Sequence, residues 1–321
     1  MAIKVILNPY SGRWKGQLLR NEAELALNQA GVKFDLIQTE HHGHGIELAA
    51  QAARDGYESI IAAGGDGSIS EVVNGLMQAV EKGAKMPTLG ILPLGTANDL
   101  VANLNLPTDL ATAARVIATG KTLPVDLGSI NYTTIDHTSK DERKCYFDNN
   151  SAIGLEPCVT LVQQKIKWLK GTSRYMASAV IAVMQKPSWR VRMEWENGQY
   201  QGPISLVTVG NGRITGGFYM TPHANPYDGK LTFVYGFVPR RREMFGLLPK
   251  ALKPDKGSYV EADAIHEINS SWLRVSLEKP TPLHADGEIQ TENAIEVEWR
   301  IHSGALKVFS NYLPEGNPSL E

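Results

Sequence analysis

Two domains of different texture are predicted: a three-layer α/β domain over residues 1–126, followed from 127 by an antiparallel β-sandwich. Three observations predict them. Up to about Asp126, short apolar runs alternate with amphipathic stretches, the pattern of a largely parallel sheet covered on both faces. Glycine-bearing turns follow several of those runs. Beyond Asp126, short alternating runs separated by Gly, Pro and Asn take over, as in an antiparallel β domain. The chain's 321 residues are also more than one hydrophobic core usually serves.

In order, strands are expected at Ile3–Leu7, 34–39, 60–63 and 88–92, with helices at 17–30 and 45–56 between them. Ile69, Val72, Val73, Leu76 and Met77 recur at helical spacing after the third strand. In the second domain, strands are expected at 190–195, 204–209, 231–237, 272–277 and 294–301, interrupted by one helical insertion at about 158–184. No internal repeat or low-complexity linker is visible.

Gly64-Gly65-Asp66-Gly67-Ser68 and Gly95-Thr96-Ala97-Asn98-Asp99 each sit between an apolar run and a helical pattern. Glycine permits positive φ and lets successive N–H groups approach an anion at a helix N-terminus, so the pair predicts a bound phosphate. Tight strand-to-helix packing is the competing explanation for either turn alone. Asn8-Pro9-Tyr10-Ser11-Gly12 follows the first strand in the same way. Ligands of such sheets bind at the carboxyl ends of the strands, where all three turns lie.

Together these turns resemble the catalytic domain of the diacylglycerol kinase family, which includes bacterial soluble lipid kinases and, more distantly, sphingosine and ceramide kinases. Further matches occur in the family's order: Val125-Asp126-Leu127-Gly128, Val209-Gly210-Asn211-Gly212-Arg213, the segment from Pro222 to Gly229, and Asp286-Gly287-Glu288. Ser68 stands where Thr is usual and keeps the hydroxyl. The resemblance implies an NAD kinase/diacylglycerol kinase-like nucleotide-binding fold, with residues 305–321 rejoining the first domain and 127–304 forming the lipid-substrate domain.

A formal net charge of −2 argues against a general nucleic-acid binder. Cys145 and Cys158 are too few for a disulfide framework and lack metal-ligand spacing, which points to a reduced cytoplasmic setting. The N-terminus enters a strand pattern with no signal-peptide series. The longest apolar run, 175–184, is shorter than the roughly 18 to 20 residues of a membrane span, so any membrane contact is expected to be peripheral.

Transfer of an ATP γ-phosphate to a lipid hydroxyl requires alignment, Mg²⁺ for the phosphate oxygens, and a base near the attacking hydroxyl. Asp66, Asp99 and Asp126, each near a strand end, are the candidate metal carboxylates, directly or through water. Asx turn capping is their alternative role. The family's Asp-Gly-Glu motif implies Asp286 as the catalytic base, with Glu288 orienting it or joining the metal network. Without that motif, Asp-Gly reads as a hairpin turn. His284 is a rival base or a packed strand residue.

By residue matching, the resemblance also implies a structural Mg²⁺ at Asn225, Asp228 and Lys230, the first and last through backbone carbonyls. The nucleotide contacts it implies are Asn8, Pro9, Tyr10, Ser11, Gly12, Thr39, Gly64, Gly65, Asp66, Gly67, Ser68, Ile69, Ser70, Glu71, Gly95, Thr96 and Asn98. Glu71 is expected to hold ribose or backbone groups, or to favour its helix N-terminus. Arg13 and Lys15 supply positive charge or solvate the first loop. No Walker-type Gly-Lys-Ser/Thr is present, which argues against a P-loop NTPase.

His41-His42-Gly43-His44 lacks suitably spaced metal partners. Val159, Val162, Ile166 and Leu169 form one apolar face, flanked by Lys165, Lys167, Lys170 and Arg174, that suits either packing on the β domain or an anionic bilayer. Arg240-Arg241-Arg242 is a lipid-facing patch or a solvated turn. The leading expectation is an ATP- and Mg²⁺-dependent lipid kinase whose acceptor enters between the domains from the membrane surface. An NAD kinase-like enzyme and a non-catalytic nucleotide- or lipid-binding regulator are the alternatives. Oligomeric state stays open, a homodimer included.

Overall fold

The computed structural model describes residues 2–14, 16–136, 139–166, 171–185, 188–252 and 258–312. The chain forms two compact units. The first is Met1–Leu127 with Pro226–Asp228 and Ser303–Glu321; the second is Gly128–Asn225 with Gly229–His302.

In the first unit, strands β1 (Ile3–Leu7), β2 (Asp35–Gln38), β3 (Ser59–Gly64) and β4 (Thr88–Pro93) pair in parallel in the order β2-β1-β3-β4. Helices α1 (Ser11–Trp14), α2 (Gly16–Gln29), α3 (His44–Arg54), α4 (Asp66–Glu81), α5 (Asp99–Asn103) and α6 (Leu110–Thr119) connect or follow them. Every residue of β3 is buried, as expected for a parallel strand covered on both sides. Ile61 and Ala63 join a core with Leu27 of α2 and Ile117 of α6. Ile60 and Ala62, which point to the other face, are equally buried, and α3 and α4 pack together while touching β1 and β3. Asp109 caps α6 by accepting the Thr112 N–H at 2.9 Å, and Gly120 ends it at φ 70°.

Strands β5 (Thr122–Asp136) and β14 (Glu288–Phe309) pair with each other, and each contributes residues to both units. Val308 of β14 pairs in parallel with Leu89 of β4.

The second unit is a β-sandwich built from β6 (Ser139–Phe147), β7 (Asn150–Gly154), β8 (Trp189–Trp195), β9 (Gly198–Ile204), β10 (Leu206–Gly210), β11 (Leu231–Gly236), β12 (Ile265–Ser270), β13 (Trp272–Ala285) and most of β14. Its pairs are antiparallel: β12-β11-β10-β7-β13 in sequence, then β13 with β14 and β8, β8 with β9, and β5 with β6. Phe147, Ile153, Met193, Val209, Phe233 and Trp299 lie in its core.

The single helical insertion expected at about 158–184 is instead two helices, α7 (Leu155–Lys165) and α8 (Gly171–Met184). A third, α9 (Arg241–Leu252), packs against α8. Of the face expected to run from Val159 to Leu169, Val159 is buried, whereas Lys167, Leu169 and Lys170 lie outside the described residues.

Candidate active site

The register of the parallel sheet brings the predicted turns level. Beyond the paired strands, Thr39 N–H donates to Leu7 O, Asn8 N–H to Ala63 O, and Leu94 N–H to Gly64 O, all at 2.8–2.9 Å. The turns after β1, β3 and β4 therefore leave three adjacent strands at one edge.

Side chains tie the first two turns together. Asn8 Nδ2 donates to Ser68 Oγ at 2.9 Å, while Asn8 Oδ1 accepts the Tyr10 N–H at 2.9 Å. A β-carbon on Gly64 would stand 2.3 Å from Ser68 Oγ and 3.2 Å from Ser11 Oγ, so the two hydroxyls flank that glycine. Helix α4 begins after Gly65, and the first N–H groups of a helix have no backbone partner within it; the Asp66 N–H turns to its own carboxylate.

The second and third turns meet through glycine. A β-carbon on Gly95 would lie 2.4 Å from Gly65 Cα and 2.6 Å from Asn98 Oδ1, so only glycine allows this approach. Asn98 takes a left-handed backbone and donates Nδ2 to Gly95 O at 3.1 Å. Thr96 is exposed beside it.

Asp66 Oδ1 accepts the Leu100 N–H at 3.3 Å, at the start of α5, which itself begins with Asp99. Burial pushes the Asp66 carboxyl up, against the pull of the Leu100 and Asp99 N–H groups. Asn98 Oδ1 is buried without a hydrogen-bond donor. An acceptor short of a donor and a carboxylate that burial disfavours as an anion both fit a hydrated cation or a ribose hydroxyl. The oxygen donors are also the hard type that Mg²⁺ prefers.

Other expected residues have different surroundings. Ile69 is completely buried and its N–H donates to Gly65 O at 3.1 Å, so it belongs to the core beneath the turn. Ser70 O accepts from Asn74 Nδ2 at 2.9 Å. Glu71 caps α3 rather than its own helix, accepting the N–H groups of Gly43 at 2.8 Å and Gly45 at 2.9 Å. His42 Nδ1 lies 3.2 Å from the same carboxylate, His44 Nδ1 accepts the Glu40 N–H at 3.0 Å, and His41 Nδ1 lies 3.0 Å from His42 O, so all three histidines serve this turn. Thr39 is buried, Pro9 and Gly12 are part-buried, and Tyr10 is exposed. Lys15 and the Arg13 side chain lie outside the described residues.

Asp126 is 2% exposed; its Oδ1 accepts the Gly304 N–H at 2.7 Å, and its N–H donates to Pro226 O at 2.9 Å. It thus ties the 226 segment and the returning end of the chain into the first unit. Among the described residues, no three His, Cys, Asp or Glu side chains gather around a point that suits a metal, so Asp66, Asp99 and Asp126 do not form a three-carboxylate cage. Asn225, Asp228 and Lys230 are exposed on their turn, with one carboxylate among them.

In the second unit, Asp286 and Gly287 join β13 to β14. Both have positive φ, 47° and 80°, and Ala285 pairs with Glu288, which defines a two-residue hairpin of the I′ kind. The hairpin turn expected of Asp-Gly is therefore present. The Asp286 carboxylate accepts three backbone N–H groups, from Asp148 at 3.1 Å, Asn149 at 3.0 Å and Asn150 at 3.1 Å. Glu288 is exposed at the start of β14. His284, the rival base, is 1% exposed, and its ring is enclosed by protein. Burial, and then the Asp286 charge, push the Cys145 thiol up to about 12, which marks it as a packed thiol rather than a nucleophile.

Helices α7, α8 and α9 enclose an apolar pocket with a cavity volume of about 70 Å³, lined by Leu155, Val159, Val183, Phe218, Met244 and Tyr259 among others. Buried Glu156 stands at its wall. Sequence reasoning passed over Glu156 and Asn150; the available signal was a carboxylate inside the otherwise apolar run from Ala152 to Val159.

A parallel α/β unit with glycine turns at its strand ends, together with a β-sandwich carrying an Asp-Gly-Glu hairpin, defines a phosphotransferase of NAD kinase-like architecture. Residues 2–130 match the "Diacylglycerol kinase catalytic domain", and residues 150–310 match the "YegS C-terminal NAD kinase beta sandwich-like domain". A protein named "Diacylglycerol kinase" from Staphylococcus carnosus is 28% identical over 287 residues, covering 89% of this chain and 88% of that protein. A "Probable lipid kinase YegS-like" from Chromohalobacter salexigens is 30% identical over 271 residues, covering 83% and 81%. The crystal structure of a Bacillus anthracis diacylglycerol kinase superposes with a TM-score of 0.69 at 19% identity, covering 100% of this chain and 98% of that one. Yeast NADH kinase shares the fold more distantly, at a TM-score of 0.54 and 10% identity, covering 98% and 84%. The chain belongs to the diacylglycerol kinase and YegS-like lipid kinase family.

Proposed function

We propose that this lipid kinase transfers the γ-phosphate of Mg-ATP to a hydroxyl of diacylglycerol or a related lipid, with Asp286 as general base. The observation that carries the reading is the convergence of the Asn8, Gly64–Gly65 and Gly95 turns at the carboxyl ends of adjacent parallel strands. N–H groups at the start of α4 and the Ser11 and Ser68 hydroxyls are donors suited to phosphate oxygens. Mg²⁺, when bound, offsets the charge on those oxygens; Asp66, Asp99 and Asn98 are the oxygen donors nearest to hand. We retain Asn225, Asp228 and the Lys230 carbonyl as a second, structural Mg²⁺ site.

The acceptor hydroxyl loses its proton to the Asp286 carboxylate as the new P–O bond forms and the bond from the γ-phosphorus to the bridging oxygen breaks, with ADP leaving. Glu288, exposed across the hairpin, shapes the field around that base. An acyl chain occupies the apolar pocket of α7, α8 and α9. The exposed side chains of Val180, Ile181 and Met184 lie near Arg241, which donates to Met184 O at 2.7 Å, and Arg240 and Arg242 adjoin it in sequence. An apolar patch beside arginines suits peripheral contact with an anionic membrane on the cytoplasmic side. Among the described residues, no helix is long and apolar enough to cross a membrane.

The test is Mg-ATP-dependent phosphate transfer to diacylglycerol, monoacylglycerol, ceramide, sphingosine, phosphatidylglycerol and NAD in parallel. A phosphorylated glycerolipid that is absent with Asp286→Asn supports the reading, whereas phosphorylated NAD alone would replace it with an NAD kinase. Tight Mg-ATP binding with no product from any acceptor would favour a binding protein.

A further inference from the structure

The second unit holds a buried polar cluster that the reaction described above does not use. Glu156, 6% exposed, accepts Asn150 Nδ2 at 2.8 Å on one oxygen and Thr208 Oγ1 at 2.7 Å on the other. His284 Nε2 lies 3.3 Å from Glu156 Oε1, a close polar contact short of a well-aligned hydrogen bond. The other ring nitrogen, Nδ1, accepts the Gly287 N–H at 3.3 Å. With Nδ1 accepting, the ring places an N–H at Nε2, on the side of Glu156.

Both ends of this cluster reach the hairpin that carries Asp286. His284 reaches it through Gly287, the second residue of the turn. Asn150 reaches it twice: its N–H donates to Asp286 Oδ1 at 3.1 Å, and its C=O accepts the Asp286 N–H at 2.8 Å. Ser151 Oγ donates to His284 O at 2.7 Å and accepts Trp299 Nε1–H at 2.9 Å, which fixes the strand beneath. Burying a carboxylate costs several kcal/mol, and apolar packing of the same volume is often as stable or more so. Stability alone is thus a poor reason for a glutamate here. Asp286 has a left-handed backbone, φ 47°, a conformation that surrounding contacts must hold in place.

Resting on the lipid kinase reading, we infer that Glu156 and His284 are positioning residues: through Gly287 and Asn150 they hold the Asp286 turn in the geometry that presents the base to the acceptor hydroxyl. His284 touches no substrate in this arrangement, and Glu156, at the wall of the acyl pocket, touches no reacting atom. Their effect passes through the turn.

The experiment compares Glu156→Gln, His284→Gln and His284→Asn in the full chain. Asn at 284 can keep an acceptor near the Nδ1 position facing Gly287, whereas Gln reaches toward Glu156 and gives that acceptor up. For Glu156→Gln and His284→Gln, kcat is expected to fall about tenfold to a hundredfold, the scale of a misplaced reacting group, with KM for Mg-ATP unchanged. His284→Asn should recover much of the loss. Combining Glu156→Gln with Asp286→Asn should cost no more kcat than Asp286→Asn alone, because both act through one group. Independent, multiplying losses would overturn the inference, as would a fall in melting temperature with kcat untouched.

Backbone amide exchange at Gly287 and Asn150 reads the turn without an acceptor. It should quicken in Glu156→Gln and His284→Gln and stay slow in His284→Asn. If the parent protein phosphorylates no lipid, the function reading fails, and these amides still decide whether the pair holds the turn: unchanged exchange would refute it. If Glu156→Gln does not fold, the two His284 variants carry the same comparison.

Discussion

Gly65 and Gly95 touch backbone to backbone: a β-carbon on Gly95 would stand 2.4 Å from Gly65 Cα, and one on Gly65 would stand 3.0 Å from Gly95 Cα. The glycines therefore do more than expose N–H groups to an anion. They let two strand-end turns close on one another, so the packing explanation of the motif holds and is compatible with the proposed phosphate site.

Gly95→Ala should force these turns apart. Overpacking of this kind costs about 1–3 kcal/mol, and the Mg-ATP dissociation constant is expected to rise on the order of tenfold or more. Calorimetric titration with Mg-ATP, alongside a melting curve, checks it. Unchanged affinity would show that the two turns do not share the nucleotide.

Glu71 distinguishes ribose binding from helix capping. Gly43, which precedes α3, has no side-chain cap of its own, and Glu71 supplies the acceptor for Gly43 and Gly45. Glu71→Gln weakens that cap and removes a charge favourable at a helix N-terminus, at about 0.5–2 kcal/mol. The melting temperature should drop while KM for ATP stays constant; a raised KM at constant melting temperature would restore the ribose assignment.

Asp286→Asn removes the proposed base and one of the acceptors for the N–H groups of Asp148, Asn149 and Asn150. A positioned base contributes roughly 10²–10⁴-fold, so single-turnover phosphate transfer should slow by that order with Mg-ATP binding retained. Residual transfer within a few-fold of the parent rate would assign the proton to another group.

Acid should destabilise the second unit through Glu156. Burial pushes this carboxyl up, but the His284 contact and the hydrogen bonds from Thr208 and Asn150 outweigh it and hold it below its ordinary value. With the folded-state value depressed, the contribution to stability is complete above the unfolded carboxylate value of about 4.3 and is lost as pH falls through the lower folded one. Melting temperatures recorded from neutral to strongly acidic pH should decline less steeply for Glu156→Gln than for the parent over that acid range.

The alternating strands and helices of the first unit were legible because local apolar runs and helical spacing carry them directly. Asp35–Gln38, Ser59–Gly64 and Thr88–Pro93 each lie within a residue or two of their expected positions. Strand β6 was not legible. Its sequence, SKDERKCYF, is mostly charged and exposed and, among the described residues, pairs with β5 alone, so no apolar alternation marks it. Strand β7 escaped for the opposite reason: Asn150 and Ser151 are polar yet buried, the Asn150 side chain donating to Glu156 in the next element and Ser151 Oγ bonding His284 O and Trp299 more than a hundred residues away.

The sequence by itself determined the fold class, the three turns at the strand ends and the Asp-Gly hairpin, since each rests on local chemistry: apolar periodicity, and glycine and turn residues at fixed spacing, although Gly64, Gly65 and Gly95 serve close packing and not positive φ. Tertiary structure alone decided the partners. It set Gly65 against Gly95, turned Glu71 toward α3, tied Asp126 to Gly304, and enclosed His284 with Glu156. Those relationships depend on which strands pair and in what register, and spacing along the chain does not encode the distance between residues that the sheet brings together.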